Sequence, residues 1–236
     1  IDDGSPDSAV GPVLDSFAGT PGLTIMRSPR NLGYTKTINL GIGQAAGRDV
    51  ILLNSDTVVT PRWLEGLRAT AYGRPNVGTV TAMGDNAGAF SFPLHNQKCD
   101  KPDHLTHEEY ALMMVQAAVD CAAPEVPTGS GFCMYIRRAM MDACGTFDEE
   151  GFPRGYGEEN DFCMRAMKAG WVNLISPWAF VFHIRTASFK GEKDKLVKEG
   201  VDVVMKRYPD YARLVKAAFS GPDMMALREA TARAVI

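Results

Sequence analysis

The run Val50-Ile51-Leu52-Leu53-Asn54-Ser55-Asp56-Thr57 constrains the fold more than any other stretch of the chain. Four consecutive large apolar residues read as a strand covered on both faces, the usual condition within a parallel sheet. The run ends in a carboxylate, and a charge at the end of a buried strand is costly unless something compensates it. In open α/β sheets, ligands bind at the carboxyl ends of the strands. Read alone, Asp56 is either a cap for the next helix or part of such a site, and the segment does not choose.

The flanking sequence supplies the layers that such a strand needs. Asp7 to Phe17 is a weak helical pattern, Leu23 to Arg27 a short strand, and Tyr34 to Ala46 a helical pattern ending at Gly47. Thr60-Pro61 reads as cap and first-turn residue of a helix to Tyr72, followed by a strand over Val77 to Met83. This alternation predicts an α/β fold whose sheet is parallel, with crossover helices. Gly84 to Pro102, rich in Gly, Asn and Asp, reads as a long surface loop of the kind that is usually functional. Thr106 to Cys121 is a helix opened by capping-box spacing, and Phe132 to Ile136 is a strand. Glu158 to Ala169 is a helix, Trp171 to Ile175 and Ala179 to Phe182 are strands, and a charged helical pattern begins at Lys190. The pattern breaks at Pro209 and at Gly221-Pro222.

With 236 residues the chain suits one α/β domain over 1–189 and a helical extension, or a linker to a further domain, over 190–236. The opening Ile1-Asp2-Asp3-Gly4-Ser5 resembles the tail of a strand with no strand before it, so the chain reads as a piece of a longer polypeptide. A net charge of -3 argues against a bulk nucleic-acid binder. Five cysteines without zinc-knuckle or redox spacing fit a reducing, cytoplasmic setting, and no apolar run reaches membrane-span length. Association with the cytoplasmic face of a membrane would need a partner or a segment outside this sequence.

Three features carry chemistry. Gly157-Glu158-Glu159-Asn160-Asp161 opens a helix, where acidic residues favour the dipole, yet three carboxylates in four positions exceed what capping needs. Asp161 and Arg165 have the spacing of a helical ion pair, which leaves Glu158 and Glu159 as the chemical candidates. His183 ends an apolar strand, a position open to a structural role or to ligation. At one sheet edge with Asp56, it would join oxygen and nitrogen donors suited to Mn²⁺ or Mg²⁺ shared with a phosphate. The glycines of Gly41-Ile42-Gly43 precede a strand and so fail as a dinucleotide fingerprint. Gly129-Ser130-Gly131 leads into a strand and reads as a turn, with packing on the acceptor side as the functional alternative.

Together these runs resemble the inverting glycosyltransferases of family 2, with the GT-A fold. The matching segments are Asp2-Asp3-Gly4-Ser5, Asn31-Leu32-Gly33 with Asn39-Leu40-Gly41, Leu53-Asn54-Ser55-Asp56-Thr57, Gly129-Ser130-Gly131-Phe132, Gly145-Thr146-Phe147-Asp148-Glu149 and Tyr156 to Asp161, with His183 completing the order. The resemblance implies a Rossmann-like mixed, mostly parallel sheet flanked by helices and lacking its first strand. It implies a nucleotide-diphosphate sugar as donor and a glycan, polysaccharide or lipid-linked acceptor. Asp2, Asp3, Asn31, Gly33, Asn39, Asn54 and Asp56 fall on the donor side, and Asp56 and His183 on the metal. Glu159 takes the place of the family's usual Asp base, with Glu158 in reserve. Asn54 replaces the first Asp of the family's Asp-x-Asp, so Asp56 is the one carboxylate of that motif. The competing readings are a nucleotidyltransferase of similar fold and a silent nucleotide-sugar-binding module of a larger synthase.

Overall fold

The computed structural model describes residues 1–184 and 190–235, with the backbone alone for 190–194. The boundary expected at 189/190, and the side chains of Lys190, Glu192, Lys193 and Asp194, lie outside what is described. The chain runs α1 (Val10–Asp15), α2 (Tyr34–Gln44), β1 (Val50–Leu53), β2 (Thr57–Val58), α3 (Trp63–Tyr72), β3 (Val77–Gly84), α4 (His107–Ala117), β4 (Glu125–Val126) and β5 (Cys133–Ile136). It continues through α5 (Arg138–Cys144), α6 (Glu158–Lys168), β6 (Val172–His183), α7 (Lys190–Arg207), α8 (Tyr211–Phe219) and α9 (Pro222–Ala234).

The sheet has six strands in the order β1-β5-β3-β6-β2, with β4 paired on β6. It is mixed, as the resemblance implies, but the parallel pairing that the alternation predicts occurs among the described strands only between β3 and β6, the other pairings being antiparallel. β3 and β6 pair in parallel, while β5 is antiparallel to both β1 and β3, so β1, β3 and β6 share one direction. The β1-α3-β3 crossover is therefore present, but β5 is inserted between its two strands. Among the described residues the other edge of β1 has no strand partner.

The core forms where apolar side chains from both faces of β3 meet helices. Every residue of β3 is buried. One cluster places Leu67 of α3, Tyr110 and Met114 of α4, and Phe180 of β6 around Val80 and Met83. A second, on the other face, joins Ile42, Met134, Ile136, Met140 and Phe162.

Several expectations are corrected. Thr60 does not cap α3: its hydroxyl donates to the Phe180 carbonyl at 2.6 Å, and the residue before the helix is Arg62 in the left-handed region. Leu23 to Arg27 contributes a single parallel bridge, Asp2 with Arg27. The two strands expected over 171–182 are one, because the chain absorbs Pro177, Trp178 and Ala179 as a register shift between the pairs Ala82–Ser176 and Met83–Phe180. The Gly84 to Pro102 segment is not a surface loop, since Phe90, Phe92 and Cys99 are buried in it. Arg228 of α9 holds it, donating to the carbonyls of Ala89 (2.8 Å), Ser91 (2.8 Å) and Pro93 (3.2 Å). The capping box at Thr106 and Glu109 is present in full.

Candidate active site

β1 is not covered on both faces as its apolar run predicts: it is a half-buried edge strand with Leu53 exposed, because among the described residues only β5 flanks it. Its end delivers Asn54, Ser55 and Asp56 to the carboxyl edge of the sheet. The chain then turns back into β2, whose pairing sets Thr57 against His183. The Ile184 amide donates to the Asp56 carbonyl at 2.9 Å, which closes the register one residue further out. As a result the Asp56 carboxylate stands 3.3 Å from His183 Nε2, and the Asn54 amide nitrogen 3.4 Å from the same atom. The imidazole lies over the Phe132 ring, with centroids 5.4 Å apart and planes 20° from parallel. The His183 backbone amide donates to Asp85 at 2.7 Å. Burial pushes the Asp85 carboxyl upward, and that amide partly offsets the shift.

The donor set consists of one carboxylate, Asp56, and one imidazole, His183, with the Asn54 side-chain amide beside them. Among the described residues no three His, Cys, Asp or Glu side chains form a closed metal cage. A magnesium-like ion does not need one, because it is commonly held by one or two protein groups together with substrate phosphates. The residues present fit that arrangement.

The second half of the site begins at α6. Tyr156 (φ 65°) and Gly157 (φ 136°) turn the chain sharply into the helix, and Glu158 and Glu159 follow in its first turn. Glu159 reaches back across the sheet edge, where its Oε1 accepts the Gly131 amide at 2.6 Å and lies 3.5 Å from the Tyr34 hydroxyl. Gly131 has no space for a side chain, because a Cβ there would overlap both Glu159 Oε1 and the Tyr34 oxygen. Glu158 is 3% exposed, and its Oε2 has no hydrogen-bond partner among the described residues. Desolvation raises both carboxyls well above the usual range. The charge of Glu158 raises Glu159 further, while the Gly131 amide and Tyr34 hydroxyl pull it back.

Other predicted residues hold the frame. Asp161 is saturated: it accepts from Arg165 (2.8 Å), Arg207 (2.8 Å) and the Tyr208 hydroxyl (2.9 Å). The Asp3 carboxylate accepts the amides of Leu32 (2.8 Å) and Gly33 (2.9 Å), shaping the turn that presents Asn31 and Tyr34. Gly33 has φ 90°, and a Cβ there would overlap the Pro153 carbonyl oxygen. Asp2 accepts from Ser5 at 2.9 Å, which lowers its carboxyl pKa. Asn39 clamps α2 to the segment before α6, donating to the Phe147 carbonyl (2.9 Å) and Glu149 (2.8 Å). Gly129 donates to Cys163 Sγ at 3.1 Å and Ser130 to the Thr81 hydroxyl at 3.2 Å, so this turn is anchored under Gly131.

An open cleft of about 1220 Å³ is lined by Asp3, Asn31, Tyr34, Asn54, Asp56 and Gly131, with apolar β1 along one wall. It brings together the predicted donor-side residues except Asp2, Gly33 and Asn39, and Glu159 meets it through Gly131 and Tyr34. The sequence reading missed Tyr34 and Asp85. Tyr34 directly follows Asn31-Leu32-Gly33, which was the one local signal for it; Asp85 had none.

Residues 1–145 match the family described as Glycosyl transferase family 2. An N-acetylglucosaminyl-diphospho-decaprenol L-rhamnosyltransferase of Mycobacterium tuberculosis is 26% identical over 73% of this chain and 65% of its own length. An N-acetylglucosaminyltransferase of Sinorhizobium fredii is 29% identical over 76% of this chain and 43% of its own. An uncharacterized protein of the same species, y4gI, is 27% identical over 78% of this chain but 21% of its own length. The chain thus spans between about a fifth and two-thirds of these relatives. In structure it resembles GalNAc-T7 with UDP, GalNAc and Mn²⁺ (TM-score 0.63, 18% identity, 98% of this chain and 47% of that one). It also resembles the mannosyltransferase PcManGT of Pyrobaculum calidifontis with GDP-Man and Mn²⁺ (TM-score 0.58, 15% identity, 99% and 63%). At these identities the likeness establishes the fold, which is GT-A.

Proposed function

This chain belongs to glycosyl transferase family 2, and from that premise we propose that it moves a sugar from a nucleotide-diphosphate donor to an acceptor hydroxyl, inverting the anomeric centre. One observation carries the reading: the half-buried Glu159 carboxylate is fixed by the amide of Gly131, which lines the cleft that contains Asp56.

The chemistry follows from these groups. An acceptor hydroxyl is a weak nucleophile until its proton is removed as it attacks. Glu159 takes that proton while the acceptor oxygen bonds to the anomeric carbon, and the sugar–phosphate C–O bond breaks with its electron pair on the departing nucleoside diphosphate. A base near the operating pH is the efficient choice, worth about 10²–10⁴-fold. Desolvation moves Glu159 in that direction, and the Gly131 amide holds the carboxylate in place through its Oε1. Direct displacement with no protein nucleophile gives inversion. Asp56 and His183 would hold Mn²⁺ or Mg²⁺, which supplies positive charge to the leaving diphosphate. The acceptor class is a glycan, polysaccharide or lipid-linked sugar, a reading supported by the rhamnosyltransferase relative, which is named for a diphospho-decaprenol-linked sugar. No helix among the described residues is long and apolar enough to cross a membrane. Further domains of the same polypeptide belong to this proposal, since the relatives extend well beyond the matched length.

A specific observation favours a second reading, a nucleotide-sugar-binding module without turnover. Asn54 stands where a second carboxylate would strengthen the metal site, and Asp3 is committed to backbone amides. Thermal shift across a panel of nucleotide sugars with and without Mn²⁺ tests for binding. A donor at 100 times its Kd stabilises by about 2.7 kcal/mol. Stabilisation followed by transfer supports the enzyme, stabilisation without transfer to any acceptor supports the module, and no stabilisation refutes both.

A further inference from the structure

The start of α6 does not hold itself in place. Tyr156 occupies the left-handed region without being glycine, Gly155 and Gly157 flank it at φ 90° and 136°, and no side chain caps the helix. Backbone of this kind persists only when its surroundings over-determine it. The first turn also crowds three carboxylates, two of which repel each other without a basic partner in hydrogen-bond reach among the described residues. The restraint comes from α7 and α8.

Gly200, in the middle of α7, lies directly against this turn. A Cβ at 200 would overlap the Tyr156 carbonyl oxygen, and a Cβ at Gly157 would come within 3.1 Å of the Gly200 carbonyl. Glycine is a poor residue for a helix interior on propensity, so close packing is the reason for it here. Two turns later, α7 grips the same helix on the other side of the glutamates. Arg207 and Tyr208 both bond Asp161, and Arg207 also bonds Asp148 at 2.7 Å. Val204 and Tyr208 pack with Phe152 and Met164 between these points. Tyr211 of α8 reaches the Thr128 hydroxyl, which donates to Asn160 at 2.6 Å. Residues 156–157 are pressed from one side and 160–161 are held from the other, and Glu158 and Glu159 lie between.

We propose that α7 is a working part of the site and that Gly200 is a positioning residue for the Glu159 carboxylate, acting through the Tyr156-Gly157 turn. The proposal rests on Glu159 being the base. The titratable groups facing Glu159 are Glu158 on its own helix, Tyr34 from α2, Cys163 one turn on and Tyr211 from α8. Substitution at 200 replaces none of these groups, and since Glu158 follows the same turn, a shifted Glu159 midpoint would report displacement of the Glu158-Glu159 start of α6.

The test uses the full chain with ¹³C-carboxyl-labelled glutamate, in which Glu159→Gln assigns the Glu159 resonance. Gly200→Ala is expected to lower the Glu159 titration midpoint by about one pH unit or more, toward the ordinary carboxylate value. It is also expected to cut kcat about 100-fold, as misplacement by an ångström does, with donor KM within about twofold. A folded Gly200→Ala protein with the wild-type midpoint overturns the proposal. If Gly200→Ala does not fold, Tyr208→Phe serves, since it removes one hydroxyl from the Asp161 anchor. A shifted midpoint then supports the proposal and an unchanged one overturns it. Unchanged turnover in Glu159→Gln would instead remove the base assignment, a failure distinct from an unchanged Gly200→Ala midpoint.

Discussion

Gly131 and Glu159 form a single unit: the Gly131 amide donates to Glu159 Oε1 at 2.6 Å, and the same oxygen occupies the space that a side chain at 131 would need. The hydrogen bond and the missing Cβ place the carboxylate together. Gly131→Ala should therefore move Glu159 even though alanine has ordinary backbone preferences. Transfer is expected to fall about 100-fold, with a stability loss of about 1–3 kcal/mol from overpacking. Steady-state kinetics and thermal melts on the same preparation separate the two effects. Full activity in a melted-down but folded variant would contradict the placement.

Glu159→Gln keeps the shape and the Gly131 contact but removes the base. The expected outcome is donor Kd unchanged by calorimetry and transfer slowed about 10²–10⁴-fold. In the wild type, kcat should rise with pH along a limb above the ordinary carboxylate range, because a raised pKa keeps the base protonated at lower pH. That limb should be absent from the residual activity of the variant.

Glu158 tests the cost of burying a charge. Its folded-state pKa is raised, so protonation favours the fold. Wild-type stability is then fully present below the ordinary value near about 4.3 and declines as pH rises through the raised folded value. Glu158→Gln removes this penalty. Its Tm should match wild type at acidic pH and exceed it at alkaline pH, and a difference independent of pH would show that the carboxyl is not the cause.

The metal reading makes a separable prediction. Asp56→Asn and His183→Ala should each abolish the Mn²⁺-dependent part of donor stabilisation in thermal shift, while Tm without metal moves little for Asp56, which is partly exposed. Donor stabilisation that is equal with and without Mn²⁺ in wild type would refute metal bridging at this pair.

Much of this architecture was legible before any coordinates, because local pattern encodes local structure. The apolar run of β1, the capping box at Thr106 and the acidic opening of α6 each state their element in a few neighbouring residues. Motif order then indicated which strand ends and helix starts share an edge, and the structure does bring Asp56 to His183 and Glu159 to Gly131. What stayed hidden depends on partners far along the chain. The segment from Gly84 to Pro102 looks polar, yet Phe90 and Phe92 are buried because Arg228, more than a hundred residues later, satisfies its carbonyls. Asn39 reads as a donor-side residue until its amide is found bonded to Phe147 and Glu149. Asp85 and Gly200 carry no local signature at all, and Tyr34 only its place after Asn31-Leu32-Gly33. The sequence by itself determined the elements, their order and the types of chemical group available. The tertiary structure alone decided which groups are desolvated, which are consumed by backbone amides and which face the cleft, since burial and hydrogen-bond partnership are properties of contacts across the chain.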